Sequence, residues 1–145
     1  MSVAPIPAGY RSVTPYLVLH DLVGFLAFAE RALGAEVVER IDLPEGGLAH
    51  AAIQIGDSRV MVGAARPDSE PFPAMLYVYV PDVDAAFARA VEAGAKVVVE
   101  PADQFYGDRS GGLEDEWGVQ WWLATHVEDV PPEELAQRMA AQRGS

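Results

Sequence analysis

The sequence contains no cysteine, and this absence removes several kinds of chemistry at once. Without Cys the chain has no disulfide, no thiolate nucleophile and no Cys-based zinc site, which fits a reducing cytoplasm. The sequence also lacks the basic-then-apolar start of a signal peptide, and no apolar run approaches the roughly 18 residues of a membrane span. We therefore expect a cytoplasmic, soluble protein without a membrane partner.

Basic residues are scarce. The chain has 10 Lys and Arg against 22 Asp and Glu, which gives a formal net charge of -12. Such a charge repels phosphate backbones, so we expect no nucleic acid partner. Familiar catalytic motifs are missing too, because the chain has no Gly-rich phosphate loop, no Gly-x-Ser-x-Gly and no His-Glu-x-x-His. With 145 residues, half of them apolar, the chain has the size and composition of one globular domain.

What the sequence does contain is a repeat. In two stretches, an Asp is placed to cap an amphipathic helix, and a Gly ends that helix just before a β-branched run. The signature Gly-Ala-x-Val-Val begins at Gly34 and again at Gly94, 60 positions later. The capping residues are Asp21 and Asp82. Two copies of about 60 residues predict a duplicated unit rather than a solenoid, which needs at least three repeats.

Hydrophobic periodicity predicts the order β-α-β-β-β in each copy, an α+β fold. The first module covers about residues 12–65, the second about 74–126, and a C-terminal helix at about 131–142 lies outside the repeat. The first strand is predicted at Ser12–His20, and residues 101–112 are predicted to be mostly loop.

Several short motifs, in this order and spacing, resemble the vicinal-oxygen-chelate superfamily, in particular its PhnB-like, glyoxalase/bleomycin-resistance branch. The superfamily contains glyoxalase I, extradiol dioxygenases, fosfomycin-modifying enzymes and bleomycin-binding resistance proteins. The resemblance implies two βαβββ modules forming a curved mixed sheet, a cup that holds a small ligand, and a homodimer. The motifs are Thr14-Pro15-Tyr16-Leu17-Val18, His50-Ala51, Asp103 through Arg109, Asp115-x-x-Gly118 and Trp122-x-x-Thr125-His126.

The same resemblance places the usual metal ligands near four positions, and none of these is His, Glu or Asp. Thioether and indole groups do not hold Zn, Ni, Mn or Fe(II) ions, so we expect no metal and no cofactor. A divergent metal site built from His50 with Glu39 or Asp108 remains an alternative. The four positions are Thr14, Met61, Met75 and Trp122.

Two polar side chains are further candidates for contact with a ligand or for catalysis. His50 lies in a predicted strand on the same side as Gln54, and is a candidate general base or ligand contact; a satisfied structural imidazole is the alternative. Arg109, next to Asp108, is a candidate fork for an anionic or carbonyl-bearing ligand, or an ion pair that fixes a loop. His20 and His126 are interpreted as ordinary junction residues.

Aromatic residues form the largest candidate group. Strand alternation puts Tyr77 and Tyr79 on one face of the fifth strand, and separates Trp122 from Trp121 on the last strand. Aromatic side chains with a few polar handles line small-molecule pockets, although they also fill cores. The full set of predicted ligand-binding residues is Thr14, Tyr16, His50, Met61, Met75, Tyr77, Tyr79, Phe105, Arg109 and Trp122, with His50 also as the candidate catalytic residue.

Three functions remain open at this point. The favoured one is metal-independent binding, or sequestration, of an aromatic or amphipathic small molecule, with the acidic charge favouring a neutral or cationic ligand. The alternative is a glyoxalase-like lyase or isomerase, or a dioxygenase, with a divergent metal site or with His50 as acid/base. The third is a module that serves protein association through its C-terminal helix or sheet edges.

Overall fold

The computed structural model of the chain describes residues 3–144 and divides into two compact units. The first unit contains the chain up to Ala74 together with the short segment Glu116–Val119. The second contains Met75–Asp115 and the chain from Gln120 onward. Each unit is built around one four-stranded mixed sheet.

The first unit has the order β-α-β-β-β that the sequence predicts. Its sheet order is β1-β4-β3-β2, in which β1 runs parallel to β4 and the other pairs are antiparallel. The elements are β1 (Tyr16–Leu19), α1 (Leu22–Leu33), β2 (Glu36–Asp42), β3 (Leu48–Ile55) and β4 (Ser58–Ala64).

The second unit repeats that order and adds a helix. Its sheet order, β5-β8-β7-β6, is the counterpart of the first, again with one parallel pair, β5 with β8. The α+β fold with two βαβββ modules and a C-terminal helix is therefore confirmed. The elements are β5 (Met75–Tyr79), α2 (Val83–Glu92), β6 (Lys96–Asp103), β7 (Asp108–Glu114), β8 (Gln120–His126) and α3 (Pro132–Gly144).

Both repeat helices begin at the predicted caps. The Asp21 carboxylate accepts a hydrogen bond from the Gly24 N–H at 3.0 Å, and Asp82 accepts one from the Ala85 N–H at 3.2 Å. The first helix ends at Gly34, whose φ of 65° is left-handed and suits glycine. Capping thus sets where each helix starts, and α1 and α2 then cover one face of their own sheets.

Each sheet has a face packed on its helix and a face without a helix, which we call the open face. On the helix side of the first sheet, Leu17, Ile53 and Val62 are fully buried. On the helix side of the second sheet, Trp121 and Leu123 are equally buried. Because side chains alternate along a strand, their neighbours belong to the open faces.

The first strand is shorter than predicted. It begins at Tyr16 rather than Ser12, so Thr14 precedes the sheet. Pro15 has no N–H to give to a ladder, although its carbonyl accepts a hydrogen bond from the Met61 N–H at 2.9 Å. The chain therefore joins the sheet only after the proline, at an edge strand.

The predicted loop at residues 101–112 was wrong for most of its length. Strand β6 continues to Asp103, and β7 already begins at Asp108. Pro101 is tolerated because β6 is an edge strand, and its pairing with β7 shifts register between Val99 and Ala102. Local composition suggested a loop, but pairing with a neighbouring strand decided otherwise.

Helix α3 has no buried residue and is tied down mainly by one side chain. The Arg138 guanidinium donates to the Phe105 carbonyl at 2.9 Å and forms ion pairs with Glu128 and Glu134.

Among the described residues, none of the helices combines the length and the apolar character needed to cross a membrane.

Candidate functional site

The open face of the second sheet carries large apolar and aromatic side chains that remain accessible. Met75 and Tyr79 are each 61% exposed, and Tyr77 is 42% exposed. Tyr77 pairs in register with the half-buried Trp122 of β8, so the two rings belong to the same face. The Trp122 indole lies against Gly112, where an added Cβ would come within 2.8 Å of the ring. This surface, which we call the aromatic face, matches the predicted side of the strands.

A buried carboxylate lies beneath these rings. Asp108 is only 3% exposed, yet it accepts hydrogen bonds from the Tyr77 hydroxyl at 2.7 Å and the Tyr79 hydroxyl at 2.9 Å, both on Oδ2. Its other oxygen, Oδ1, accepts from Nδ1 of His126 at 2.8 Å. A buried carboxylate is stable when hydrogen bonds compensate for its removal from water, and both oxygens of Asp108 accept such bonds.

The pKa values of this cluster follow from its geometry. Burial by itself opposes ionisation of Asp108, but the hydrogen bonds from His126, Tyr77 and Tyr79 outweigh it and lower the pKa of the carboxyl group. Burial, followed by the bond to Asp108, raises the pKa of Tyr77, and the bond to Asp108 raises that of Tyr79. The cluster therefore favours an ionised carboxylate held by two neutral phenols.

His126 is held between two carboxylates. Its Nε2 lies 2.7 Å from Oδ1 of Asp129, while Nδ1 faces Asp108. Only the imidazolium has two N–H donors, so this geometry favours the protonated ring, and the hydrogen bonds to Asp108 and then Asp129 raise the pKa of His126. An imidazolium has no lone pair to offer a metal ion. His126 and the two carboxylates therefore form ion pairs rather than a set of metal ligands.

The open face of the first sheet has a different polar chain. The Tyr16 hydroxyl lies 3.3 Å from Nδ1 of His50, and His50 Nε2 lies 3.1 Å from Oε1 of Glu39. The Tyr10 hydroxyl donates to the second Glu39 oxygen at 3.2 Å. A neutral His50 satisfies both neighbours, because Nε2–H can donate to Glu39 while Nδ1 accepts the phenol proton. This is the arrangement of a base oriented by a carboxylate, and it is suited to moving a proton to or from Tyr16.

The remaining predicted site residues are dispersed. Thr14 lies before β1, with its hydroxyl 3.4 Å from the Arg11 carbonyl oxygen. Phe105 lies between β6 and β7, edge-on to Tyr106 at a centroid distance of 5.3 Å. Met61 is half-buried on the open face of β4, in register with Tyr16. The structure thus brings together Met75, Tyr77, Tyr79 and Trp122, and separately Tyr16 with His50. It leaves Thr14 and Phe105 outside the strands.

Arg109 faces away from the aromatic face. Its guanidinium donates twice to Asp84 of α2, both bonds at 3.0 Å, and once to Asp103 at 3.3 Å. The predicted Asp108–Arg109 ion pair on a flexible loop was wrong, because both residues lie in β7 and adjacent residues of a strand point to opposite sides. Arg109 instead fixes α2 and β6 to β7, a structural role with other partners than the predicted Asp108.

Sequence reasoning missed the cluster around Asp108. His126 was interpreted as a junction residue, whereas in the ladder it lies directly opposite Asp108. A pattern that could have indicated it was present: two consecutive strands, the first beginning with Asp and the second ending with His. Without the register between β7 and β8, however, that pairing could not be fixed from the sequence.

The four positions at which the resemblance places metal ligands do not fit a metal. A threonine before the sheet, two thioethers and an indole offer no imidazole or carboxylate to a Zn, Ni, Mn or Fe ion. In the part of the chain that the structure describes, no three or more His, Asp or Glu side chains are grouped to hold an ion. His50 is paired with Glu39 in the first unit, whereas Asp108 is paired with His126 in the second.

The fold and these faces define a class of protein, and comparison with known sequences identifies it. Residues 17–123 match the model of the Glyoxalase/Bleomycin resistance protein/Dioxygenase superfamily, and the chain belongs to that family. The resemblance derived from the motifs is therefore confirmed at the level of the family.

One relative in sequence and two solved structures with a similar fold illustrate what the chain is similar to. The chain is 33% identical over 142 residues to the uncharacterized protein Mb0911c of Mycobacterium bovis, a match covering 90% of this chain and 93% of the relative. Its fold is similar to TioX from Micromonospora sp. ML1, with a TM-score of 0.65, 24% identity and coverage of 80% of this chain and 100% of TioX. It is also similar in fold to a PhnB protein of Bacillus cereus, with a TM-score of 0.59, 17% identity and coverage of 79% and 99%.

Proposed function

We propose that this protein binds an aromatic or amphipathic small molecule without a metal ion, and that the ligand binds on the aromatic face of the second unit. The observation that carries the proposal is the exposure of Met75, Tyr77 and Tyr79 on one sheet face next to Trp122. Rings that only filled a core would be buried, as Trp121 is at 1% exposure on the opposite face of β8. Accessible rings next to fixed polar groups are typical of ligand sites.

Binding can be tested with one neutral aromatic probe, 1-naphthalenemethanol, by isothermal titration calorimetry and by NMR. The chain has three tryptophans, so the indole N–H region holds three signals that variants can assign. We expect the probe to shift the Trp122 signal and to leave that of the buried Trp121 almost unchanged. It should also raise the melting temperature, because a ligand that binds the native state stabilises it.

Variants locate the site. Trp122→Ala and Tyr79→Ala should each weaken probe binding about tenfold or more, because each removes a stacking surface. Val91→Ala is the matched control, since Val91 is an exposed apolar residue of the same unit, 42% exposed on helix α2. Equal affinities in all three variants, or a shift of the Trp121 signal alone, would refute binding on the aromatic face.

A second candidate function is supported by the first unit. The chain Tyr16, His50 and Glu39 suits metal-free proton transfer, in the manner of a glyoxalase-like isomerase or lyase. It predicts exchange of α-protons of a small ketone into deuterated water that His50→Gln abolishes and His20→Gln does not. Stoichiometric metal in protein purified without chelator, lost in His50→Gln, would instead favour the divergent metal site and a metal-dependent enzyme.

The oligomeric state belongs to the same proposal. We expect a homodimer, which the resemblance implies, and sedimentation equilibrium measures it directly. A monomer at all concentrations would leave ligand binding on the aromatic face unaffected, because every residue of that face comes from one unit.

A further inference from the structure

Three donors of the aromatic face, two phenols and one indole, already have acceptors inside the protein. Tyr77 and Tyr79 both donate to Asp108. The Trp122 Nε1–H donates to Oε1 of Gln120 at 3.1 Å, and the Gln120 amide donates to Glu114 at 3.4 Å. An N–H or O–H that already has an acceptor inside the protein must break that bond before it can donate to a ligand.

Hydrogen-bond acceptors on the aromatic face, by contrast, still have unused lone pairs. A phenol oxygen has two lone pairs and the carboxylate of Glu114 has about four acceptor positions, of which few are used here. The faces of aromatic rings are also negative, because of their quadrupole. Tyr77 and Tyr79 lie edge to face, with ring centroids 5.4 Å apart and planes at 64°, so two differently oriented rings are presented to one ligand. The surface therefore offers negative potential and acceptors, with Asp108 beneath.

Two cations near this face are occupied, and a third lies on the edge strand. His126 lies between Asp108 and Asp129, so one imidazolium faces two carboxylates and the group keeps a net negative charge. Arg109 is on the other side of β7, bound to Asp84. Lys96 lies opposite Glu114 on the edge strand β6, two strands away from β8. On β5 and β8, the strands that carry Tyr77, Tyr79 and Trp122, there is no Lys or Arg.

We propose that the ligand of the aromatic face is an organic cation, an aromatic compound that carries a protonated amine. An ammonium group donates to the acceptors of this face, and it is attracted by ring faces, most strongly by Trp and Tyr. This inference rests on the proposed binding function and adds a charge to its ligand. It commits to the cation, whereas composition alone favours either a neutral or a cationic molecule.

Three probes that share one ring system isolate the charge: 1-naphthylmethylamine, 1-naphthalenemethanol and 1-naphthoate. We expect calorimetry at neutral pH and low salt to rank them in that order, with the amine bound about tenfold or more tightly than the alcohol. If alcohol and carboxylate bind as tightly as the amine, and Trp122→Ala weakens all three, the cation inference fails while the binding function stands. If none of the three binds or shifts the Trp122 indole signal, both fail.

A pair of charge variants separates the local face from the net charge of the chain. Asp108→Asn and Glu92→Gln each remove one negative charge with little change of shape, and Glu92 is an exposed residue of α2 in the same unit. We expect Asp108→Asn to lower the preference for amine over alcohol about fivefold, and Glu92→Gln to leave it within about twofold. Equal effects would mean that overall charge attracts the amine, and would overturn the inference.

Asp108→Asn is used only if its melting curve shows a folded protein. Otherwise Glu114→Gln makes the same comparison with Glu92→Gln, because Glu114 is half-buried on the same face and belongs to the acceptor chain of Trp122 and Gln120. A preference for the amine that neither Asp108→Asn nor Glu114→Gln changes would also count against the inference.

Discussion

The two units share one fold but use the same place for different chemistry. The parallel pairs place Tyr16 opposite Met61 in the first unit and Tyr77 opposite Trp122 in the second, so the two tyrosines are equivalent. Tyr16 meets an imidazole that is oriented by Glu39, whereas Tyr77 meets a buried carboxylate. In the first arrangement a neutral imidazole can pass a proton along, whereas in the second the hydrogen bonds keep the carboxylate ionised.

This difference shows that the duplication preserved the scaffold and left the open faces free to change. Helix caps and buried faces must be kept in both copies, because losing them costs stability. The open-face residues differ instead: one copy has His50 between a phenol and an acid, and the other has Asp108 beneath two phenols. Pairs of variants, one in each unit, test this difference.

The largest effect is expected in the core. Trp121, on the helix side of β8, corresponds to Val60 on β4, because each precedes the residue that pairs with the equivalent tyrosine. Trp121→Ala removes a fully buried indole and its 2.9 Å bond to Asp115, and should lower the free energy of unfolding by about 3–5 kcal/mol. Val60→Ala should cost about 1–2 kcal/mol, as measured by urea denaturation. Equal losses would contradict the assignment of Trp121 to the core.

The polar clusters should differ next. Asp108→Ala leaves Tyr77 and Tyr79 without their shared acceptor and His126 without its buried counter-ion, and should cost about 2–4 kcal/mol. Glu39→Ala should cost less than about 1 kcal/mol, because the side chain of Glu39 is 46% exposed. Urea denaturation of both variants makes the comparison. A loss for Glu39→Ala as large as that for Asp108→Ala would show that the two units rely equally on their polar chains.

The smallest effect is a dependence of stability on pH that originates in the second unit. The raised pKa of His126 means that its contribution is complete below 6.5, the ordinary value, and is lost as pH rises through the higher folded value. The lowered pKa of Asp108 means that its contribution is complete above 3.8 and is lost as pH falls through the lower folded value. The pair therefore contributes most between those two pH values.

This pH dependence can be measured as the difference in melting temperature between the wild type and His126→Gln from acid to alkaline pH. The difference should be greatest between the two ordinary pKa values and should shrink as pH rises through the raised pKa of His126. His20→Gln is the matched control, because the exposed His20 lies outside the strands of the first unit. A flat profile for His126→Gln would mean that its ion pairs do not form in solution.

Local patterns were enough for the repeat and for most of the elements. Asp21 and Asp82 predicted the helix starts, and alternation predicted that Trp121 and Trp122 would face opposite sides, because capping and strand geometry depend on nearby residues. Predictions of features that depend on a distant partner were wrong. The loop expected near Pro101 is part of an edge strand, and Arg109 forms its ion pair with Asp84 rather than with Asp108. Those contacts are set by strands and helices distant in sequence.

By itself, the sequence determined the duplicated α+β scaffold, the family to which it belongs, and the side of each strand that carries the aromatic residues. These follow from periodicity, caps and composition, which act over a few neighbouring residues. Only the tertiary structure decided that Asp108 is buried beneath Tyr77 and Tyr79 and faces His126, and that His50 pairs with Glu39. The reason is register: one residue of slip between paired strands would send each of these side chains to the other face.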